Sequence, residues 1–203
     1  MNQISESITP TQAGTPFEGG YYVGRIRSNG AIYALIVAPK DGGEKQGKWL
    51  GNLTDVPGAT SCHDGRANTI AMRDAGSELA TWALDLQING FSDWYLPSRD
   101  ELELMYRNLK PTDQENYCTF RDGDNPSSTP AGYPYTDAAP GKTTATDFQD
   151  TNAESLETQW YWSSSQFSPD FAWFQDFVDG IQDYGHKDVD GRARAVRRFL
   201  VIE

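Results

Sequence analysis

The first clear hydrophobic pattern lies between Tyr21 and Pro39, where two runs rich in β-branched and aromatic residues flank a short polar break. The break reads Ser28-Asn29-Gly30. Asn and Gly both tolerate the positive φ angles of a tight turn, and an Asn-Gly pair between two such runs is a strong short-range signal of a β-hairpin. The pattern therefore predicts an antiparallel hairpin over residues 21–39.

Two helices are predicted after this hairpin. Between Ala67 and Gln87, apolar residues recur at spacings of three and four, which is typical of one face of an amphipathic helix and predicts the longest helix of the chain. These residues are Ile70, Ala71, Ala75, Leu79, Trp82, Ala83 and Leu86. A second, shorter helix is predicted to start at Ser98, which forms a capping box with Glu101, and to stop at Pro111. Its buried stripe comprises Leu102, Met105, Tyr106 and Leu109.

The remaining sequence alternates polar loops with short β-like stretches. Residues 41–66 are predicted as a Gly-rich loop, and residues 111–159 as a long excursion that is either functional or disordered. After residue 159 the stretches WYWSSSQF, AWFQDFV and ARAVRRFLVI predict a small antiparallel sheet. A hairpin, two helices, long loops and a late sheet together indicate the α+β class.

Length and composition favour a single folded domain. A chain of 203 residues can bury a sizeable core, and an aromatic content of 12% is far higher than disordered chains possess. Residues 1–20 are polar and rich in Thr, Gly and Pro, so they are predicted as an attachment arm, and residues 21–203 as the domain proper. The first fifteen residues lack the features of a secretory signal, and no apolar run approaches the roughly 20 residues of a membrane span. These features predict a soluble cytoplasmic product that needs a carrier, such as a virion, for display.

Charge and cysteine content narrow the partners. Lys and Arg total 17 against 29 Asp and Glu, so the net charge of −12 would repel a phosphate backbone. Nucleic acid and anionic membranes are therefore poor partners. The two cysteines, Cys62 and Cys118, are interpreted as separate buried thiols, with one disulfide as the alternative.

Two stretches of sequence resemble a known family. Residues 90–102 read GFSDWYLPSRDEL, which is similar to the signature G-x-x-D-W-x-L-P-(S/T)-x-x-E-L of the bacterial and phage domain DUF1566, also found at the end of a collagen-like adhesin of Legionella. Residues 161–165 (YWSSS), 172–173 (AW) and 194–198 (RAVRR) resemble its closing pattern. The resemblance covers about residues 20–201. It implies a C-type lectin-like fold, in the branch shared with formylglycine-generating enzymes, with two helices, small antiparallel sheets and long loops.

The residues of both motifs also have a structural interpretation. Trp94 and Leu96 alternate as a short buried strand that Pro97 ends, and Ser98 caps the next helix. The arginines Arg194, Arg197 and Arg198 are expected to pair with carboxylates and to pack their stems on aromatic rings.

The resemblance further implies a variable protein of a diversity-generating retroelement, in which template adenines are randomised. If AAY codons vary at their first two positions, Trp, Gln and Lys cannot arise. Between residues 168 and 191, the framework would then include Trp173, Gln175, Gln182 and Lys187. The residues that could each be an outcome are Asp170, Phe171, Val178, Asp179, Ile181, Asp183, Tyr184, Gly185, His186, Asp188, Val189 and Asp190.

The same segment is predicted as a displayed ligand-binding surface on chemical grounds. Val178, Ile181 and Val189 stand singly among polar residues with neither helix nor strand periodicity, and exposed aromatic residues are typical binding anchors. The predicted site residues are Asp170, Phe171, Trp173, Phe174, Asp176, Val178, Asp179, Ile181, Asp183, Tyr184, His186, Asp188, Val189 and Asp190. The alternative is an ordinary connecting region.

Metal and catalytic chemistry are less favoured by the sequence than binding. No cofactor is predicted; the acidic residues Asp176, Asp179, Asp183, Asp188 and Asp190 leave calcium as an alternative, and Asp122, Asp124 and Asn125 are a weaker one. Formylglycine-generating enzymes rely on a cysteine pair near the chain end, whereas no cysteine here follows Cys118. A nucleophilic pair of Cys62 with His63 or His186 lacks an orienting third group. The chain is therefore predicted not to be an enzyme.

The sequence thus favours a receptor-binding module at a phage tail-fibre tip or on another displayed structure, contacting a host surface protein or glycan. The arm would join it to the carrier, and a homotrimer would suit display because repetition strengthens weak sites. The alternatives are an adhesin domain without variation and an oxidase of the formylglycine-generating type.

Overall fold

The structure is a computed structural model that describes residues 2–118 and 123–203. Its β-strands are β1 (Gln3–Ser5), β2 (Pro16–Phe17), β3 (Gly20–Ser28), β4 (Ala31–Val37), β5 (Glu44–Lys48), β6 (Ser128–Thr129), β7 (Trp160–Gln166), β8 (Phe171–Asp176), β9 (Gln182–His186), β10 (Asp190–Arg194) and β11 (Val196–Ile202). Its helices are the single turn α1 (Lys40–Gly43), then α2 (Gly65–Asp74), α3 (Glu78–Asp85) and α4 (Arg99–Leu109). The predicted α+β class is confirmed.

The strands form two sheets that the last two strands connect. The first sheet has the order β1-β11-β4-β3-β2 with β6 beside β3, and the second has the order β5-β10-β7-β8-β9. Only Ala195 separates β10 in the second sheet from β11 in the first. Its backbone N–H donates to Gly43 and its carbonyl accepts from Ala38, so both sides of the junction are hydrogen-bonded.

The predicted hairpin is confirmed as β3 and β4. Asn29 and Gly30 have φ values of 49° and 81°, so both central residues of the turn adopt the conformation that only such residues tolerate readily. The strands pair from Ser28 opposite Ala31 back to Tyr21 opposite Val37.

The single helix predicted over residues 67–87 is wrong, because two helices occupy this stretch. Gly76 has a φ of +94°, and its N–H bonds to the Arg73 carbonyl while the N–H of Ser77 bonds to the Met72 carbonyl. This is a Schellman ending for α2. Ser77 then caps α3, since its side chain accepts from the Ala80 N–H. The longest helix in the described ranges is α4, not this one.

The prediction for α4 is confirmed in detail. Ser98 and Glu101 form the capping box, the helix ends at Leu109, and the stripe of Leu102, Met105, Tyr106 and Leu109 is buried. The strand predicted for Trp94 and Leu96 is wrong, because only Tyr95 pairs, as an isolated bridge to Val196. All three side chains from Trp94 to Leu96 are nevertheless buried.

Elements outside the recognised patterns complete the sheets. The predicted loop over residues 41–66 contains β5, which pairs antiparallel with β10. In the predicted arm, β1 lies parallel to β11 and β2 pairs with β3, so part of the arm packs on the domain. Its attachment to a carrier stays a prediction. Cys62 is half-buried and Cys118 exposed, so the expectation of two buried thiols is wrong.

The long excursion is held by polar contacts rather than by regular structure. Asn116 accepts from the Tyr106 hydroxyl at 2.7 Å and from Lys110 Nζ at 2.8 Å. Further along, Tyr135 and Asn125 both donate to the buried carboxylate of Glu103. These side chains fix the described parts of the loop to α4.

Glu101 is the polar centre of the fold. Its Oε2 accepts from the N–H groups of Ser98 at 2.7 Å and Gly65 at 3.2 Å, while its Oε1 accepts from the Tyr95 hydroxyl at 2.8 Å. Arg198 Nη1 lies 3.5 Å from the same Oε1. Both oxygens are therefore needed as acceptors.

We predict that Glu101→Gln lowers the free energy of unfolding by about 2–4 kcal/mol. An amide has only one acceptor oxygen. In one orientation its NH2 group faces the backbone N–H groups of Ser98 and Gly65, which can only donate, and in the other it faces the Tyr95 hydroxyl and Arg198. Urea denaturation measures the change. The exposed Glu78→Gln in the first turn of α3 is the control, and it should cost at most about 0.5 kcal/mol. Equal losses in the two variants would contradict the central role of Glu101.

Candidate functional site

The predicted ligand-binding segment folds mainly as a β-hairpin at one edge of the second sheet. In it β8 pairs antiparallel with β9 in a continuous register from Phe171 opposite His186 to Gln175 opposite Gln182. The interpretation of this segment as turn-rich without strand periodicity is wrong for β9. Within the described part of the chain, β9 is the last strand at this edge. The hairpin gives the site a fixed backbone.

One side of this hairpin carries a group of ring side chains, called here the aromatic face: Phe167, Phe171, Trp173, Tyr184 and His186. Phe167 and Tyr184 stack with ring centroids 4.1 Å apart and an interplanar angle of 7°. His186 lies 4.2 Å from Phe171, and Trp173 lies 5.9 Å from Tyr184, edge to face. Phe167 and Tyr184 are 44% and 39% exposed, which leaves a large apolar area in contact with solvent.

Arg99 packs against Trp173 of the aromatic face. Its guanidinium lies 3.7 Å from the centroid of the Trp173 ring, and both side chains are nearly buried. Arg99 is the first residue of α4, and its backbone N–H donates to Ser165 Oγ of β7 at 3.0 Å. The helix of the L-P-S-R motif therefore sets the position of the indole. Trp173 is only 8% exposed and contributes mainly as the base of the face.

The opposite side of the hairpin carries a second aromatic group. Phe174 lies 5.2 Å from the Trp160 ring and 6.4 Å from the Trp162 ring. Asp183 pairs with Phe174 across the strands, and a Cβ on Gly185 would stand 3.2 Å from the Trp162 ring. The predicted site residues are thus divided between two sides of one hairpin and do not form a single patch.

The turn between the strands uses its acidic residues internally. Asp176 Oδ1 accepts from the Val178 N–H at 2.8 Å, and Asp179 Oδ1 accepts from the Ile181 N–H at 3.1 Å. Partial burial raises the pKa of Asp176. Gly180 has a φ of +83° and packs against the Tyr106 ring, where a Cβ would have no room. The predicted site residues Asp176, Val178, Asp179 and Ile181 thus form the end of the hairpin.

The rest of the predicted site flanks the hairpin. Asp170 precedes β8, Asp188 and Val189 connect β9 to β10, and Asp190 is the first residue of β10; all four are exposed. Between these flanks, Lys187 is fully buried. Its Nζ donates to the Thr54 carbonyl at 2.8 Å, to Gln166 Oε1 at 2.6 Å and to the Pro169 carbonyl at 2.8 Å. The ammonium group therefore holds both ends of the hairpin against the body.

Burial separates two sets of residues in the segment. The four residues that randomised AAY codons cannot produce, Trp173, Gln175, Gln182 and Lys187, are all buried. The twelve residues named above as outcomes, including Gly185, are each half-buried or exposed. Gln175 and Gln182 face each other across the strands, and the Gln175 side chain donates to the Gly180 carbonyl. These four residues therefore hold the hairpin together with Ala172, Phe177 and Gly180, which are also buried, whereas the twelve reach solvent.

Other predicted groups have structural roles. Arg197 binds Asp93 through two nitrogens at 2.7 and 3.0 Å and lies 3.7 Å from the Phe91 ring centroid. Arg194 bridges Glu44 and Glu154 at 3.2 and 2.6 Å. With Arg198 on Glu101 and on Asp64 at 3.0 Å, the prediction of carboxylate pairing is confirmed for all three.

The structure gives the candidate metal and nucleophile residues the following surroundings. No group of three or more His, Cys, Asp or Glu side chains within residues 2–118 and 123–203 is placed to hold a metal ion. Asp122 lies outside the described residues, and the Asn125 amide donates to Asp100 and Glu103. His63 Nδ1 lies 3.2 Å from Ser28 Oγ. No helix in these ranges is long and apolar enough to cross a membrane.

The sequence missed two residues of the surface. Phe167 precedes the predicted segment, separated from Phe171 by the turn Ser-Pro-Asp, and only the fold returns its ring to Tyr184. Arg99 lies far away in sequence. The one available signal was that Arg99 directly follows the helix cap Ser98. This position holds the Arg99 backbone beside Ser165 at the end of β7.

Lys187 supplies a test of this framework. Burial lowers its pKa from 10.5 to about 8. Between these two values the unfolded chain binds more protons than the folded one, so the contribution of Lys187 to stability rises with pH. We predict that Lys187→Met costs about 2–4 kcal/mol at pH 7, because three acceptors lose their donor. The deficit should widen between pH 8 and 10, as measured by urea unfolding of both proteins.

The exposed Lys48→Met serves as the matched control, with a small effect that stays constant over the same pH range. A deficit for Lys187→Met that stays constant or narrows above pH 8 would contradict the burial of a charged amine at this position.

Comparisons with known proteins place the chain in a family. A search of curated proteins finds no match. A solved structure of a fimbrial protein from Bacteroides ovatus is similar at 12% identity and a TM-score of 0.45, covering 82% of this chain and 36% of that one. The chain thus spans about a third of that protein, and a likeness at this level carries no argument. The model of the Lcl C-terminal domain, however, matches residues 49–197. Because this match covers well over half of the sequence, the chain belongs to the Lcl C-terminal domain family.

Proposed function

We propose that this protein is a ligand-binding domain of C-type lectin-like architecture, of the DUF1566 type, that recognises a host surface protein or glycan through the β8–β9 hairpin. The aromatic face is the centre of the contact, and the half-exposed and exposed residues between 168 and 191 form its variable surroundings. The order of hairpin, helices, long loops and late sheet supports the architecture. The domain is not an enzyme.

The division of the hairpin into buried and accessible residues carries the proposal. Randomised AAY codons exclude Trp, Gln and Lys, and all four residues of these types between 168 and 191 are buried. The twelve residues named above as outcomes reach solvent while the backbone pairing of β8 and β9 stays the same. Such a surface changes its specificity at little cost to folding, which is what a retroelement-diversified protein requires.

The chemistry of the surface suits binding. Phe167 and Tyr184 are exposed and stacked, so they present contact area with little conformational entropy left to lose. Asp170 directly precedes Phe171 and Asp188 follows His186 by two residues, so both add negative charge next to residues of the aromatic face. These carboxylates favour a partner whose contacting surface is neutral or basic, because like charges would repel it.

Display needs a carrier and gains from repetition. We place the domain on a virion, at a phage tail-fibre tip, or on another displayed structure, joined through the N-terminal region. A homotrimer would present three copies of the hairpin, and linked weak sites bind far more tightly than single ones. A surface adhesin without variation is the second candidate, and the coding sequence discriminates between the two.

A segment exchange tests the recognition surface. Replacing residues 167–192 by the same segment of a sibling protein should transfer binding specificity, measured with labelled protein on a panel of whole bacterial strains. Thermal unfolding checks that the exchanged protein folds. Tyr184→Ala should weaken binding by about tenfold or more, as for a central aromatic anchor, and the exposed Ile8→Ala should not. Specificity that stays with the body of the protein after the exchange would refute the proposal.

The gene provides an independent test of variation. We predict a nearby reverse transcriptase gene and a second copy of the 3′ coding segment that differs from the first only where the copy has adenine. The codons of the twelve accessible residues should contain these differences, and those of Lys187 and Trp173 should not. Sequencing the locus decides the matter, and a locus without the second copy would favour the adhesin.

A further inference from the structure

A large cavity lies apart from the hairpin, between the N-terminal segment, β3, the second half of α4 and two parts of the long excursion. Its volume is about 840 Å³, within the range of small-molecule sites. Five chain segments contribute to its walls, among them residues 10–13 and 141–144. No residue of β8 or β9 does. The cavity is therefore a second site, distinct from the proposed recognition surface.

The charge of the cavity is opposite to that of the molecule. Among residues 2–118 and 123–203, its lining includes Arg25, Arg107 and Lys142 and not one Asp or Glu, although acidic residues outnumber basic ones 29 to 17 in the chain. Arg25 is paired with Glu6 at 2.7 Å, and Arg107 with Glu103 at 2.8 Å. Lys142 makes no ion pair with the residues that the structure describes. The ammonium group of Lys142 is thus left to pair with one negatively charged group of a ligand.

Arg107 arranges the wall of the cavity. Its Nη2 donates to the carbonyls of Gly123 at 2.7 Å and Tyr133 at 2.9 Å, and its guanidinium lies 4.2 Å from the Tyr133 ring centroid. The guanidinium Nε and Nη1 are buried, and neither has a hydrogen-bond acceptor among residues 2–118 and 123–203. Tyr133 itself is 50% exposed, although its ring is held by the cation. An exposed ring in a fixed position is suited to stacking.

Polar uncharged groups make up much of the rest. Four threonines, Gln12 and Asn108 line the cavity together with the ring of Tyr133. Hydroxyl and amide groups match the hydroxyls of a sugar, and the apolar face of a sugar ring packs on an exposed aromatic ring. A simple carboxylate would not use these groups, and a neutral sugar would not use Lys142.

We propose that this cavity binds a sugar unit carrying one carboxylate, with Lys142 facing the carboxylate and Tyr133 stacking on the ring. The site is formed by the framework, so it binds the same class of ligand whatever residues occupy the hairpin. It goes beyond the proposed function, which depends on Phe167 and residues 168–191.

A pair of matched ligands tests the proposal. Methyl glucuronide and methyl glucoside differ only in having a carboxylate or a hydroxymethyl group. We expect the glucuronide to bind more tightly to the full chain, by on the order of three- to tenfold, as measured by titration calorimetry or ligand-observed NMR at low salt. Acetate should bind more weakly than either. Added salt should reduce the preference for the glucuronide, because it screens the exposed ammonium group.

Two variants assign the contacts. Lys142→Gln should remove most of the preference for the glucuronide and leave glucoside binding unchanged, whereas Tyr133→Ala should weaken both ligands. The controls are Lys48→Gln, with the same change of charge on β5, and Tyr117→Ala, at an exposed tyrosine that does not line the cavity, neither of which should alter binding. Equal binding of the two sugars, failure of both to bind, or a glucuronide preference that survives Lys142→Gln would each overturn the proposal. None of these results touches the hairpin exchange.

Discussion

The rest of the structure depends on the buried carboxylate of Glu101. A buried charge is tolerated only when partners satisfy it, and this one is met by the N–H groups that open α2 and α4, by the Tyr95 hydroxyl and by Arg198. Tyr95 is also bridged to Val196, the first residue of β11. One side chain thus fixes two helix starts to the strand that continues from the second sheet into the first, and the two sheets cannot shift independently.

Few residues connect the proposed recognition surface to this rigid centre. The helix that Glu101 holds begins at Arg99, and Arg99 lies under Trp173 at the base of the aromatic face. At the other end of the hairpin, Lys187 joins the segment to the Thr54 and Pro169 carbonyls. The hairpin is therefore fixed at its base and at its flanks by residues whose side chains are almost completely buried. Most of the accessible side chains can change because they do not position the backbone, although Asp179 accepts from the Ile181 N–H in the turn.

Local signals in the sequence predicted what local interactions determine. The Asn29-Gly30 turn and the Ser98 capping box were predicted because a few neighbouring residues decide them. Periodicity failed between residues 67 and 87 because the apolar spacing continues across Gly76, although Gly-Ser is also the signal of a helix end followed by a new cap. The strand β9 was missed because Asp183 and Gly185 have low strand propensity, and pairing with β8 supplies the stabilisation that propensity does not.

The two proposed sites also differ in how far the local sequence determines them. The hairpin segment is continuous in sequence, so its residues were predicted, but its arrangement was not, because strand pairing places Phe174 and Tyr184 on opposite sides. The cavity brings together five distant segments, and no local pattern marks it. Their positions also imply different constraints. A substitution on the edge hairpin changes one contact with solvent, whereas a substitution in the cavity wall disturbs α4, β3 and the long excursion together. A domain with both proposed sites can keep a constant, weak affinity for an acidic sugar while its hairpin changes partners. The constant contact would hold the protein at a surface while variants of the hairpin acquire other specificities.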